Sequence, residues 1–318
     1  MVLAKLLKSD GRYDVDIYEK SDQLGGRFRL KKIGDDQIFT GAEFVHGEES
    51  LLYNFIEEYK LIDELVEVDL EVMADVPLQS TNQITASTNF DDLSDKEKVI
   101  MVCHELCMNI ENVDKECIDI ENENWDCGEK NYLMNPKIYN TIMNDLQTYP
   151  DNIIYYNTPS DVLTDNKSYD WTIHAYAPES FTQLCHSAIK IFFRIDSIQW
   201  GNSRLILFGK QIMNIDVIEI WKNGDYFTVF ATAERAERLN NFTLSEKLEY
   251  VTRVMTDVCQ QKVEVSVVDV QYHPYGYHYP LRKIVPPNCC GEWTSQVFDA
   301  SLSSAIKSAH DMYDTITR

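Results

Sequence analysis

Positive charge is scarce in this chain. Its 29 Lys and Arg face 52 Asp and Glu, a formal net charge of −23 over 318 residues. Affinity for a phosphate backbone comes from clustered Lys and Arg, so this balance argues against a nucleic-acid partner. It argues equally against adhesion to anionic membranes. Long apolar runs are missing too: none reaches the roughly 18 residues that a membrane-spanning helix needs. The opening stretch from Met1 to Lys8 turns charged too soon for a secretory signal. No Cys-x-x-Cys pair occurs among the 8 cysteines, and vicinal Cys289 and Cys290 do not readily bridge. Free thiols in a cytoplasmic chain are therefore expected rather than a disulfide scaffold. Cys103 and Cys107 stand one helical turn apart, but zinc would need two further ligands nearby. Packing as small hydrophobes is the plainer role.

What is present is a folded chain. Hydrophobic residues make up 44% and charged residues 25%, a soluble globular balance. At about 150 residues per domain the length suits two domains or one large one. Apolar spacing predicts helices over 2–9, 50–66, 95–110 (capped by Ser94), 135–146, 180–191, 244–260 (capped by Thr243 or Ser245) and 300–316. Alternation and β-branched content predict strands over 13–18, 27–33, 37–40, 153–156, 171–175, 195–198, 204–208, 217–221, 226–231 and 263–272. Asn223-Gly224 reads as a hairpin turn. The order mixes strand–helix units with a central run of hairpins. It predicts an α/β domain built from both chain ends with an α+β insertion.

Four segments together resemble the FAD-dependent amine oxidases, the family of the monoamine and polyamine oxidases. The first runs from Asp16 through Glu19 to Gly25-Gly26-Arg27, an apolar strand ending in Glu and then a short loop. The second is Thr40-Gly41-Ala42-Glu43-Phe44-Val45-His46-Gly47, similar to the family's flavin-flanking turn. The third, Asn157 to Leu163 followed by Tyr169 to Ala175, is similar to an adenine-contacting strand and a return strand. The fourth is Gly291-Glu292-Trp293-Thr294-Ser295 with its following helix, similar to the C-terminal flavin segment.

The resemblance implies a Rossmann-like FAD-binding domain from 1–66, 135–180 and 285–318. An inserted α+β substrate domain with an antiparallel sheet would come from 67–134 and 181–284. It implies FAD as cofactor, a small-molecule amine or polyamine as substrate, and imine and hydrogen peroxide as products. The acidic surface suits a cationic amine. Glu19 would accept the ribose hydroxyls, as a carboxylate ending the second strand of a dinucleotide fold does. Gly25 and Gly26 would permit close backbone approach, and Arg27 would offer a donor fork to an anion. Gly41, Ala42, Glu43 and Phe44 would flank the isoalloxazine. Ser160 would hold adenine through its backbone, and Gly291 and Glu292 would meet the ribityl or phosphate region.

Departures from the pattern accompany it. The family's Gly-x-Gly-x-x-Gly loop, which lays pyrophosphate on a helix N-terminus, is absent from the 318 residues. Weak or absent FAD binding by this polypeptide is expected for that reason, with a non-catalytic binding scaffold as the alternative function. Asp299 would repel a phosphate. A lysine commonly holds a water near the flavin in this family, and the best local match, from Trp200 to Phe208, carries Arg204 there. Arg keeps its proton near neutral pH but can position water. The aromatic run from Tyr272 to Pro280 fits loop packing, pocket lining or, with His273 and His278, a metal.

Overall fold

The computed structural model describes residues 1–74, 88–89, 130–148, 153–156, 172–173, 185–196, 198–278, 288–291, 294 and 302–318. The chain opens with α1, Val2–Asp10, which buries Leu3, Ala4 and Leu7. Gly11 ends it in the left-handed region at φ 74°, with its N–H donating to the Lys8 carbonyl. Strand β1, Asp16–Tyr18, runs parallel to β8, Ile153–Tyr155, and the rings of Tyr18 and Tyr155 stack at 4.7 Å. Strands β2, Leu30–Ile33, and β3, Asp36–Phe39, form a hairpin around Gly34.

Strand β4, Phe44–His46, leads into α2, Leu51–Glu58, whose Ser50 hydroxyl accepts the Tyr53 N–H. The helix expected over 50–66 stops there. Lys60 adopts a left-handed φ of 57°, and the Leu61 N–H closes back on the Ile56 carbonyl at 3.2 Å, a helix-ending turn. A short 3₁₀ turn, Ile62–Glu64, then feeds β5, Leu65–Ala74. Strands β6, Thr88–Asn89, and β7, Asn131–Met134, precede α3, Pro136–Thr148, whose Ile138, Ile142 and Leu146 are buried as the spacing implied.

The second half is dominated by one sheet. Its strands β9, Cys185–Arg194, β10, Ser203–Ile212, β11, Ile215–Asn223, and β12, Tyr226–Thr232, are followed by α4, Ala233–Asn241, and α5, Leu244–Cys259. Strand β13, Ser266–His278, and helix α6, Leu302–Thr317, close the chain. The sheet order is β13-β9-β12-β11-β10-β5-β7-β4, with β6 on β5. Strand β10 runs parallel to β5 and antiparallel to β11, so the sheet is mixed.

Three expectations fail here. The described part of the helix placed over 180–191, residues 185–191, belongs to β9, a central strand between β12 and β13. Residues 195 and 196, 198 and 200–202 carry no regular strand, so the strand expected over 195–198 is absent from its described part. The described part of 171–175, residues 172–173, is not a strand either. The helix expected over 95–110 lies outside the described residues.

Two cores result. Ile189, Ile191 and Phe193 of β9 pack with β10–β12 against Leu239 of α4 and Val251 and Val254 of α5. The other core joins Leu24, Phe28, Phe39 and Val45 to α2, α3 and Ile306 of α6. Helices α1 and α6, from opposite chain ends, meet through Leu3, Leu7 and Ala309.

Candidate functional site

The loop after β1 and the turn after β3 are built as one unit. The Glu19 N–H donates to the Tyr155 carbonyl at 2.9 Å, extending the β1–β8 pairing by one residue. The Glu19 carboxylate then accepts the Ser21 N–H and hydroxyl, both at 2.8 Å. This folds the loop around the carboxylate. The Thr40 N–H donates to the Arg29 carbonyl at 3.0 Å and the Ala42 N–H to the Arg27 carbonyl at 2.8 Å. Gly41 passes so close to this segment that a Cβ would stand 1.5 Å from the Arg27 carbonyl oxygen. Gly25, at φ 107°, is also too tight for a side chain: a Cβ would meet the Phe28 carbonyl oxygen at 2.5 Å. The glycines at 25 and 41 are thus required by packing between residues 25–29 and 40–42.

The C-terminal segment arrives at the same end of the molecule. The Gly291 N–H donates to the Ser308 hydroxyl of α6 at 2.8 Å, and the Leu52 N–H of α2 to the Ser303 hydroxyl at 3.1 Å. Cys290 shares a buried cluster with Leu3 and Leu7 of α1, and Met1 and Val2 pack against the cluster that holds Leu24 and Phe28. Residues flanking Gly25 and Gly291 therefore pack against the start of α1. Ser160 and Glu292 lie outside the described residues.

Behind the turn stands a residue that sequence reasoning missed. Lys190, on β9, is 6% exposed. Its Nζ donates to the carbonyls of Gly41 at 2.6 Å and Phe39 at 3.4 Å. It lies 3.6 Å from a Glu43 carboxylate oxygen and 5.2 Å from the centre of the Trp221 ring. The Trp221 indole N–H donates to Glu43, which is 2% exposed. On β13, His273 bonds the Thr40 carbonyl at 2.8 Å. Three successive carbonyls of the turn, at 39, 40 and 41, are thus drawn toward the β9–β13 side.

Burial governs the ionisation of this cluster. It pushes the Lys190 ammonium pKa down, while Glu43 and Glu219 pull it back up. It pushes the Glu43 carboxyl pKa up, against Lys190 and the Trp221 indole. It also pushes His273 down, aided by the charges of Lys190, Arg27 and Arg29.

Arg204, expected in the lysine-like role, sits on β10 in the same cluster. Its guanidinium is paired with the Glu219 carboxylate, itself 2% exposed, and lies 4.8 Å from the centre of the Phe44 ring. The groups that touch the 39–41 turn are Lys190 and His273. The signal for Lys190 was a single lysine inside the run Ser187 to Phe193, hidden once that run was read as a helix. Glu43, expected at the cofactor, is held inward by Trp221 and Lys190. Among the described residues no group of His, Cys, Asp and Glu is arranged to hold a metal. No described helix is long and apolar enough to cross a membrane.

Comparison with known proteins gives first a class. An oxidoreductase from Methanosarcina mazei superposes with a TM-score of 0.61 at 13% identity, covering 98% of this chain and 97% of that one. A putrescine oxidase solved with putrescine bound superposes with a TM-score of 0.62 at 12% identity, covering 100% and 96%. At such identities the likeness is one of fold, a mixed α/β fold shared with oxidoreductases. In sequence, residues 1–89 match the model of the flavin containing amine oxidoreductases. Glu19, Gly25 to Arg27 and the 40–47 turn all lie within that matched stretch. No curated protein sequence matches the chain.

Proposed function

We propose that the chain is a flavin-linked oxidoreductase acting on a small-molecule amine, with a Rossmann-like cofactor domain drawn from both chain ends. The carrying observation is the buried Lys190 ammonium held against the Gly41 carbonyl at 2.6 Å, behind a glycine turn with no room for a Cβ. The donor set fits the flavin and ribose portions of FAD. Glu19 would take the ribose hydroxyls, Gly25, Gly26 and Arg27 the adjoining phosphate, and Gly41, Ala42, Glu43 and Phe44 would back the ring system. Gly291 would lie at the ribityl chain, with Ser160 and Glu292 completing the set. Bound FAD supplies the acceptor for hydride from the amine's α carbon, giving an imine and, with O2, hydrogen peroxide.

The chain's own groups orient and exclude. Lys190 has three donors. Two are spent on the Gly41 and Phe39 carbonyls, and the third is available to fix a water beside the turn. Trp221 and Phe44, ring centres 5.0 Å apart, wall the cluster from solvent. The acidic surface steers a cationic amine through its long-range field. The buried thiols of Cys289 and Cys290 fit a cytoplasmic location.

A second reading, a scaffold that keeps the fold for binding alone, is favoured by the lack of a Gly-x-Gly-x-x-Gly loop in the 318 residues. One titration separates the two. FAD is added to the purified chain while flavin fluorescence is followed. Arg27 supplies about 1.5–3 kcal/mol through charged hydrogen bonds, far below the roughly 12 kcal/mol of a nanomolar complex. Saturable binding in the micromolar range, weakened by Glu19→Ala and Arg27→Ala, is the expected result. No binding at about 1 mM FAD, equivalent to under about 4 kcal/mol, leaves the scaffold reading.

A further inference from the structure

We infer that Glu43 is a positioning residue for Lys190: fixed by the Trp221 indole, its carboxylate holds the Lys190 ammonium at the Gly41 turn and keeps it charged. This deepens the oxidoreductase reading and rests on it for the meaning of the turn. The Glu43 carboxylate therefore acts on the site through Lys190, and only the backbone of Glu43 belongs to the turn that would back the ring system.

The geometry assigns each group one task. A lysine chain is flexible and its ammonium strongly hydrated, so a buried one needs both acceptors and a counter-charge. The acceptors are the Gly41 and Phe39 carbonyls at 2.6 and 3.4 Å. Glu43, at 3.6 Å, lies beyond hydrogen-bond reach and supplies charge without consuming a donor. This leaves the third N–H of Lys190 uncommitted among the described groups. Glu43 cannot swing away, because the Trp221 indole N–H is bonded to its other oxygen. Met134 N–H donates to the Glu43 carbonyl at 2.9 Å, which fixes the backbone as well. The same indole offers its face to Lys190 at 5.2 Å, so one side chain restrains both partners.

The surrounding charges set the direction. Glu43 comes from the turn, Glu219 from β11, Arg204 from β10 and His273 from β13. Arg204 is paired with Glu219, so these two largely cancel at Lys190. His273 and the two carbonyls carry no negative charge. Glu43 is therefore the anion whose removal Lys190 feels most, and burial then drives the amine toward its neutral form.

The test reads Lys190 directly in the FAD-free chain. Lysines are labelled at the ε carbon and titrated by NMR, with Lys190→Arg identifying the resonance. In the parent chain the Lys190 midpoint lies below that of the surface lysines. Glu43→Gln keeps the shape and an acceptor for Trp221 and removes the charge. It is expected to lower the midpoint by at least about one pH unit, a tenfold change worth about 1.4 kcal/mol. Trp221→Phe, which keeps the ring and removes the N–H, shifts it the same way by less. A purely packing role for Glu43 would lower stability and leave the midpoint unmoved, and that outcome in a cooperatively folded Glu43→Gln or Trp221→Phe chain overturns the inference. Because no cofactor is present, failure here is separate from failure of the FAD titration.

Discussion

Gly41 is where single-residue chemistry is most demanding. The Arg27 carbonyl oxygen occupies the place of its missing side chain, and that oxygen belongs to backbone that also accepts the Ala42 N–H. Neither partner can yield by a rotamer change. Gly41→Ala is therefore expected to destabilise the fold by about 1–3 kcal/mol or more, as overpacking does, and to push residues 25–29 away from the turn. Gly26 is the control, since a Cβ there meets nothing within 4 Å and only its φ of 57° resists substitution. Gly26→Ala should cost about 1–2 kcal/mol through backbone conformation alone. Urea midpoints for the two variants, with FAD affinity measured alongside, check the pair. Equal stability loss with intact affinity in Gly41→Ala would show that the contact between loop and turn is not needed. At this scale the loop that carries Gly25 and Gly26 was legible, because glycine and polar residues mark turns locally. Lys190 was not legible as a site residue, because its neighbours Gly41, Glu43 and Trp221 lie far away in sequence.

Elements differ in how far their own sequence reveals them. Helix α5 could be read with its cap: the Thr243 hydroxyl accepts the Glu246 N–H while the Glu246 carboxylate accepts the Thr243 N–H. Both signals sit within four residues. Strand β9 could not, because an unbroken apolar run fits a buried strand and a buried helix equally. Its identity comes from pairing with β12 and β13. One consequence of that pairing is testable. Strand β13 delivers His273 to the Thr40 carbonyl, where the ring N–H donates from a neutral imidazole. Burial holds its folded pKa below the ordinary 6.5. The unfolded chain then binds the proton first as pH falls, so this stability is present above about 6.5 and is lost as pH drops from there toward the folded value. His273→Gln, whose amide can still donate to Thr40, is expected to lose less stability between about pH 7.5 and about pH 5.5 than the parent chain. Parallel acid dependence in both chains, by urea midpoints, would count against the assignment.

At the scale of the whole molecule, two cores are joined by the β2–β3 hairpin. Asp36 meets Arg194 at 2.5 Å and the Tyr226 hydroxyl at 2.8 Å, and Lys31 meets Asp269 at 2.8 Å. Arg194 and Asp36 are 41% and 44% exposed, so water screens the pair and its worth is below about 1 kcal/mol. The joint rests more on Lys190 and His273 gripping the turn from beneath. Against this works the net charge of −23, which repels itself in the compact state. Raising ionic strength from about 0.01 M to about 0.15 M shortens the screening length from about 30 to about 8 Å. The melting temperature is expected to rise over that interval. A fall would mean that the exposed ion pairs outweigh the self-repulsion.

The sequence by itself determined whatever depends on neighbours a few residues apart. That includes the amphipathic helices α1, α3, α5 and α6, the hairpin turns at Gly34 and Asn223-Gly224, and the motifs of residues 16–47 that carry the flavin amine oxidase resemblance. Periodicity, capping and turn chemistry are local, so they survive in one dimension. Only the tertiary structure decided that 185–194 is the strand between β12 and β13, that β10 runs parallel to β5, and that Arg204 is paired with Glu219 while Lys190 reaches the turn. Those outcomes turn on which charge is buried beside which carbonyl. Burial and counter-charge arise when strands distant in the chain are brought side by side, and no local pattern encodes that pairing.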